Sequence, residues 1–135
     1  MQNLLAGQRV LITQANDFMG PVFCEVFAEQ GATVVASPDA LSEPDAAERV
    51  VRAAGTIDVL VANLAYPAPT TAAADVGEQE WRDAFAALVD PLPRLVRAAT
   101  PAMVARRSGK VLVIGSASAL RGMKRASTYS AARGA

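Results

Sequence analysis

Histidine is absent from this chain of 135 residues, so histidine catalysis and histidine metal ligation are excluded. Cysteine occurs once, at Cys24, which rules out an internal disulfide and predicts a reducing, cytoplasmic setting. Carboxylates show no metal-ligand spacing. Charge of one sign is also missing: 13 basic residues balance 13 acidic ones, which argues against nucleic-acid and membrane-surface binding. No apolar run approaches the ~20 residues that span a bilayer. Met1–Gly7 has neither a basic n-region nor a long apolar h-region, so no secretory leader is expected. Aromatics are scarce at 5%. What the chain has instead is 52% hydrophobic residues, rich in Ala and Val, which favours close packing of helices on a sheet.

The apolar pattern alternates between strand and helix. Arg9–Thr13 and Ala32–Ala36 read as buried strands, and Asp58–Ala62 and Lys110–Ile114 as a third and a fourth strand. Between the first two, a loop over Gln14–Gly20 leads to Pro21, tolerated in a first helical turn. Val22, Phe23, Val26 and Phe27 then form a stripe at helical spacing that ends at Gly31. Asp45–Ala54 predicts a short amphipathic helix with Val50 and Val51 inward. Gly77 to Arg107 is mostly helical, kinked or segmented by Pro91, Pro93 and Pro101. A last helix starts near Ser127, with Ser127 as its cap. This alternation predicts a single α/β domain, a Rossmann-like doubly wound parallel sheet of about four strands.

In such sheets the loop after the first strand cradles a dinucleotide pyrophosphate, and glycines let the backbone approach it. Here that loop reads Thr13-Gln14-Ala15-Asn16-Asp17-Phe18-Met19-Gly20, where only Gly20 serves and the Phe18 ring stands in the cofactor's place. The second strand ends Ala36-Ser37-Pro38, without an acidic ribose-binding residue. A degenerate loop that still binds a dinucleotide, or a packing role for Phe18, is the alternative.

The end of the chain carries the chemistry. Val111–Ile114 stops at Gly115 and delivers Ser116; Tyr129 follows, and Arg133 comes four residues later, on the same helical face. A phenol is almost wholly protonated at neutral pH, and a guanidinium beside one favours the phenolate. Tyr129 is then a candidate general base, with Ser116 holding a substrate alcohol. The same spacing equally describes a Ser-rich strand end and an ordinary surface helix.

Ser116, Tyr129 and a basic residue four later, in a parallel α/β chain, resemble the short-chain dehydrogenase/reductase superfamily. Asp58-Val59-Leu60-Val61-Ala62-Asn63 sits where that superfamily has its Asn-Asn-Ala-Gly strand end. Its reductases have Thr-Gly-x-x-x-Gly-x-Gly in the first loop and Tyr-x-x-x-Lys in the last helix. Here Gln14 and Phe18 replace two glycines, Arg133 replaces the lysine, and Trp81–Ala99 lacks the reductases' relay asparagine. The departures resemble the halohydrin dehalogenase branch, with Thr-x4-Phe/Tyr-x-Gly (Thr13, Phe18, Gly20) and Ser-x12-Tyr-x3-Arg (Ser116, Tyr129, Arg133).

That resemblance implies a cofactor-independent lyase. Tyr129 deprotonates a vicinal haloalcohol, Ser116 holds the alcohol oxygen, and the alkoxide displaces halide to close an epoxide. The reverse opening by azide, cyanide or nitrite follows. It also implies a substrate pocket of Phe18, Tyr66, Ser118, Leu120, Met123 and Ala126, and a homotetramer in the full-length protein. Core packing is an equal role for Leu120 and Ala126. Against a full family member, one helix and an edge strand are missing before Asp58. The chain is expected to be truncated after Ala135, without the C-terminal strands, so that Lys110–Ile114 would be an unpaired edge. The alternatives are an NAD(P)-dependent short-chain oxidoreductase, with NADP or NAD as cofactor, and a non-catalytic fragment of this fold.

Overall fold

A computed structural model of the chain describes residues 3–135. Four strands form one parallel sheet in the order β2-β1-β3-β4: β1 Arg9–Ile12, β2 Thr33–Ala36, β3 Val59–Ala62 and β4 Lys110–Val113. Leu11 pairs with Val35 on one side and Leu60 on the other, and Leu60 pairs with Val111. Six helices connect or follow the strands: α1 Gly20–Glu29, α2 Ala46–Ala54, α3 Glu78–Leu88, α4 Pro91–Ala105, α5 Ser118–Arg121 and α6 Ser127–Gly134. The expected incomplete Rossmann-like α/β sheet is present. Among the described residues, no helix is long and apolar enough to cross a membrane.

The two central strands, β1 and β3, are buried on both faces, as strands inside parallel sheets are. Side chains alternate across it. Val10, Ile12, Val59 and Val61 pack on one face with Phe23 and Phe27 of α1. Leu11 and Leu60 point to the other, against α2, α3, α4 and α6. Both leucines are fully buried, which stabilises the fold by roughly 1.5–3 kcal/mol each. Burial of Val50, with Val51 half-buried, matches the amphipathic reading of α2.

Of the outer strands, β2 departs from the sequence reading and β4 follows it. β2 is an edge strand rather than a buried one: Thr33 and Ala36 are exposed, and among the described residues it pairs with β1 alone. β4 is exposed along its length, and among the described residues it pairs with β3 alone. The helical stretch after Gly77 breaks once, at Val89 and Asp90. Pro91 opens α4, where its missing N–H is harmless, and Pro101 lies inside that helix without ending it. Ser127 is the first residue of α6 and not its cap; that position falls to Ala126, which makes no side-chain capping bond. The single turn of α5 was not foreseen.

Strand order fixes where a ligand belongs. From β1 the chain moves to one side of the sheet, and from β3 to the other. The crevice between the C-terminal ends of β1 and β3 is therefore the switch point of the sheet. The loop after β1, carrying Phe18, and the loop after β3, carrying Tyr66, leave the sheet there side by side.

Candidate active site

Helix α6 places Tyr129 and Arg133 one turn apart. The Nε–H of Arg133 donates to the Tyr129 hydroxyl oxygen at 3.0 Å. Its other nitrogens donate to the backbone at the ends of two strands, to Ile114 O at 3.2 Å and to Leu64 O at 2.9 Å. One guanidinium thus ties α6 to the exits of β4 and β3. Its carbon lies 4.7 Å from the centre of the Phe18 ring and 5.1 Å from that of Tyr129. Such cation–π contacts contribute about 0.5–2 kcal/mol. Tyr129 itself is 6% exposed and belongs to the main core cluster.

Phe18 is held there by the loop it sits in. Gln14 and Phe18 both adopt left-handed backbone conformations, φ 43° and 52°, which cost a non-glycine residue about 1 kcal/mol or more. Hydrogen bonds with the end of β3 hold the loop in place. The Gln14 amide accepts from Ala65 N–H at 2.9 Å and donates to Ala65 O at 3.4 Å. Fully buried Asn63 donates from Nδ2 to Gln14 O and to Asp17 O, both at 3.0 Å. Thr13 donates its hydroxyl to Asn63 O at 2.9 Å. Gly20 closes the loop, where a Cβ would stand 2.5 Å from Ala15 O. Three loop N–H groups are already used: Ala15 donates to Ser37 O, Asp17 to Gln14 O and Gly20 to Asp17 O. Pro21 has none to offer.

Ser116 emerges from β4 two residues after Ile114, whose carbonyl Arg133 holds. Its Oγ lies 2.8 Å from Ser118 Oγ and accepts from Ser118 N–H at 3.2 Å. Ser118 is buried and begins α5, which packs against α6. Tyr66 shares a concavity of about 380 Å³ with Phe18, Gln14, Asp17, Ala65 and Pro67. Burial pushes the Tyr66 phenol up, and the carboxylates of Asp83 and Glu80 push it further, so it stays a neutral donor. Ala126 is buried and bridges to Thr71. Leu120 and Met123 stand apart, 89% and 48% exposed, because the turn of α5 and the segment after it lie at the surface. Among the described residues, no group of three or more His, Cys, Asp or Glu is placed to hold a metal ion.

Residues 39–135 match the family model for short chain dehydrogenase. The chain belongs to that family. No curated protein sequence matches it. Among solved structures it resembles a dehalogenation enzyme, at 29% identity and a TM-score of 0.87 over 97% of this chain and 63% of that one. It also resembles the L-sorbose reductase of Gluconobacter frateurii complexed with NADPH and L-sorbose, at 21% identity and a TM-score of 0.89, over 99% of this chain and 62% of the reductase. A third is a halohydrin dehalogenase bound to ethyl (2S)-oxiran-2-ylacetate, at 24% identity and a TM-score of 0.79, over 93% of this chain and 59% of that one. The last two likenesses establish the fold. The chain spans less than two thirds of each of these three structures.

Two working parts of this family member escaped the sequence reading. Gln14 was legible only as a lost glycine; its clasp on Ala65 depends on a side-chain reach that spacing does not encode. Glu80 accepts hydroxyl bonds from Thr71 and Thr128, and the separation of 48 positions between Glu80 and Thr128 hides that pairing in the sequence.

Proposed function

We propose that Tyr129 of this short-chain dehydrogenase family member is the general base of a halohydrin dehalogenase. In this reading the Tyr129 oxygen takes the proton of a vicinal haloalcohol. Ser116, with Ser118 beside it, hydrogen-bonds the alcohol oxygen. The alkoxide attacks the neighbouring carbon, the carbon–halogen bond breaks with its electron pair leaving on halide, and an epoxide forms. Epoxide opening by a small anion is the reverse. The observation that carries the reading is the Arg133 guanidinium, shared between the Tyr129 oxygen and the Phe18 ring. An N–H aimed at the phenol oxygen fixes where that oxygen would meet the substrate's proton.

In this reading the first loop holds no nicotinamide dinucleotide, which Gln14 and Phe18 at two of the glycine positions support. A pyrophosphate is held by free backbone N–H groups at a glycine-rich turn. Here the N–H groups of Ala15, Asp17 and Gly20 are bonded within the protein, and Gln14 and Asn63 fasten the loop down. The chemistry proposed moves no hydride and needs none. The similarity to a dehalogenation enzyme supports the same reading. The second reading, an NAD(P)-dependent oxidoreductase, is favoured by the open concavity at the sheet's switch point, beside Phe18 and Tyr66.

Halide release from a simple vicinal bromoalcohol, without nicotinamide, tests the proposal. Turnover that falls about 10²–10⁴-fold in Tyr129→Phe, with the fold kept, is the expected result. NADPH-dependent carbonyl reduction without halide release would establish the second reading instead.

A further inference from the structure

The base needs more than its arginine: something must fix the turn of helix from which Tyr129 projects. α6 begins without a side-chain cap. Thr128, the residue before Tyr129, is 1% exposed, and its hydroxyl donates to Glu80 Oε1 at 2.9 Å. The other oxygen of the same carboxylate, Oε2, accepts from the Thr71 hydroxyl at 2.6 Å. Thr71 in turn bridges to Ala126, at the cap position of α6. Glu80 stands in the first turn of α3 and is half-buried, so its carboxylate joins α3, the loop after β3 and the first turn of α6 at one point. A carboxylate beside an otherwise uncapped helix start also favours the positive end of the helix dipole.

We propose that Glu80 is a positioning residue for Tyr129. Through Thr128 and Thr71 it sets the rotation and depth of the first turn of α6, and so where the Tyr129 oxygen meets substrate. Glu80 touches no reacting atom in this scheme. The proposal rests on the reading of Tyr129 as the base, since a positioning role presupposes something to position. Its chemistry is specific: two hydroxyl donors on separate segments need one side chain with two acceptors. Glutamine keeps the shape and the hydrogen bonds, because a threonine hydroxyl both donates to the amide oxygen and accepts from the amide nitrogen. Alanine keeps neither.

The test compares Glu80→Ala, Glu80→Gln and Thr128→Val, each alone, and the double variant of Glu80→Ala with Thr128→Val. Misplacement of a catalytic group by about 1 Å lowers turnover by about 10²-fold. Glu80→Ala is expected to lower kcat for halide release by about 10- to 100-fold with KM nearly unchanged. Glu80→Gln should recover most of that loss. Thr128→Val should reproduce it, and the double variant should add nothing further, as expected of residues acting as a unit.

A second readout is independent of the reaction. The chain has two tyrosines, so Cζ-labelled tyrosine gives two NMR resonances, assigned with Tyr129→Phe. The Tyr129 resonance should move in Glu80→Ala and in Thr128→Val and return in Glu80→Gln. A resonance unmoved in folded Glu80→Ala, or a loss confined to KM, overturns the positioning role. A moved resonance in a protein that releases no halide supports the positioning role and overturns the dehalogenase reading.

Discussion

The Nε–H of Arg133 meets the Tyr129 oxygen at 3.0 Å while the remaining nitrogens of the same guanidinium are held by Ile114 O and Leu64 O. Three acceptors on three elements surround one planar group, and the Phe18 ring covers its face. The guanidinium fork fixes its direction toward Tyr129 because its other arms are already anchored.

Lysine keeps the charge but not the fork, so Arg133→Lys separates the two. An ammonium reaches at most part of this set and leaves a strand-end carbonyl without its donor. The expected outcome is a loss of stability of about 1–3 kcal/mol, together with a fall in turnover of at least about 10-fold. Urea unfolding and halide release check the two parts. An Arg133→Lys protein with unchanged stability and turnover would mean that charge alone is what the site uses.

Phe18 invites the idea that its ring alone bars a dinucleotide. In the cofactor-free reading the loop matters as well, because the N–H groups of Ala15, Asp17 and Gly20 are bonded to backbone carbonyls and not to the Phe18 ring. Phe18→Ala is therefore expected to bind NADPH no better than the parent protein in a calorimetric titration. Tight binding gained by that one change would place the whole barrier in the ring.

The difference between what was legible in the sequence and what was not has a physical basis. β1 and β3 were plain because strands buried on both faces need unbroken apolar runs, and Val10–Ile12 and Val59–Val61 supply them. Tyr129 and Arg133 were legible because helical spacing alone brings them to one face. β2 has an equally apolar sequence but lies at an edge, and a strand's own residues do not record how many neighbours it has; the edge position of β4 was legible only through the strands that the family resemblance leads one to expect beyond it. Ser127 looked like a cap, yet the chain turns into the helix one residue earlier and Glu80 supports that turn from α3. The exposure of Leu120 and Met123 follows from the direction of the short turn of α5, which spacing does not encode.

Asn63 is the buried amide on which the first loop hangs. Asn63→Ala removes both donors at once and leaves Gln14 O and Asp17 O without them, at an expected cost of about 2–3 kcal/mol. Asn63→Asp keeps the shape but sets an acceptor against two carbonyl acceptors, so it should be worse than alanine. Denaturant midpoints for the two variants give the order directly; an aspartate variant as stable as the parent would show that these contacts contribute nothing net.

Tyr66 makes the last case, through pH. Burial, then the charges of Asp83 and Glu80, raise its phenol above the ordinary value. The unfolded chain releases that proton near pH ~10, while the folded protein still holds it. Between the two values the native state binds more protons, so stability falls as pH rises. The contribution is fully present below about pH 10 and is lost as pH climbs through the raised value. Tyr66→Phe should therefore flatten the alkaline limb of the stability profile. In a Tyr129→Phe background Tyr66 is the remaining phenol, and its ultraviolet difference titration should have its midpoint above that of free tyrosine. A midpoint at or below the free value would mean that Tyr66 faces open water, and the neutral-donor role beside Phe18 would fall with it.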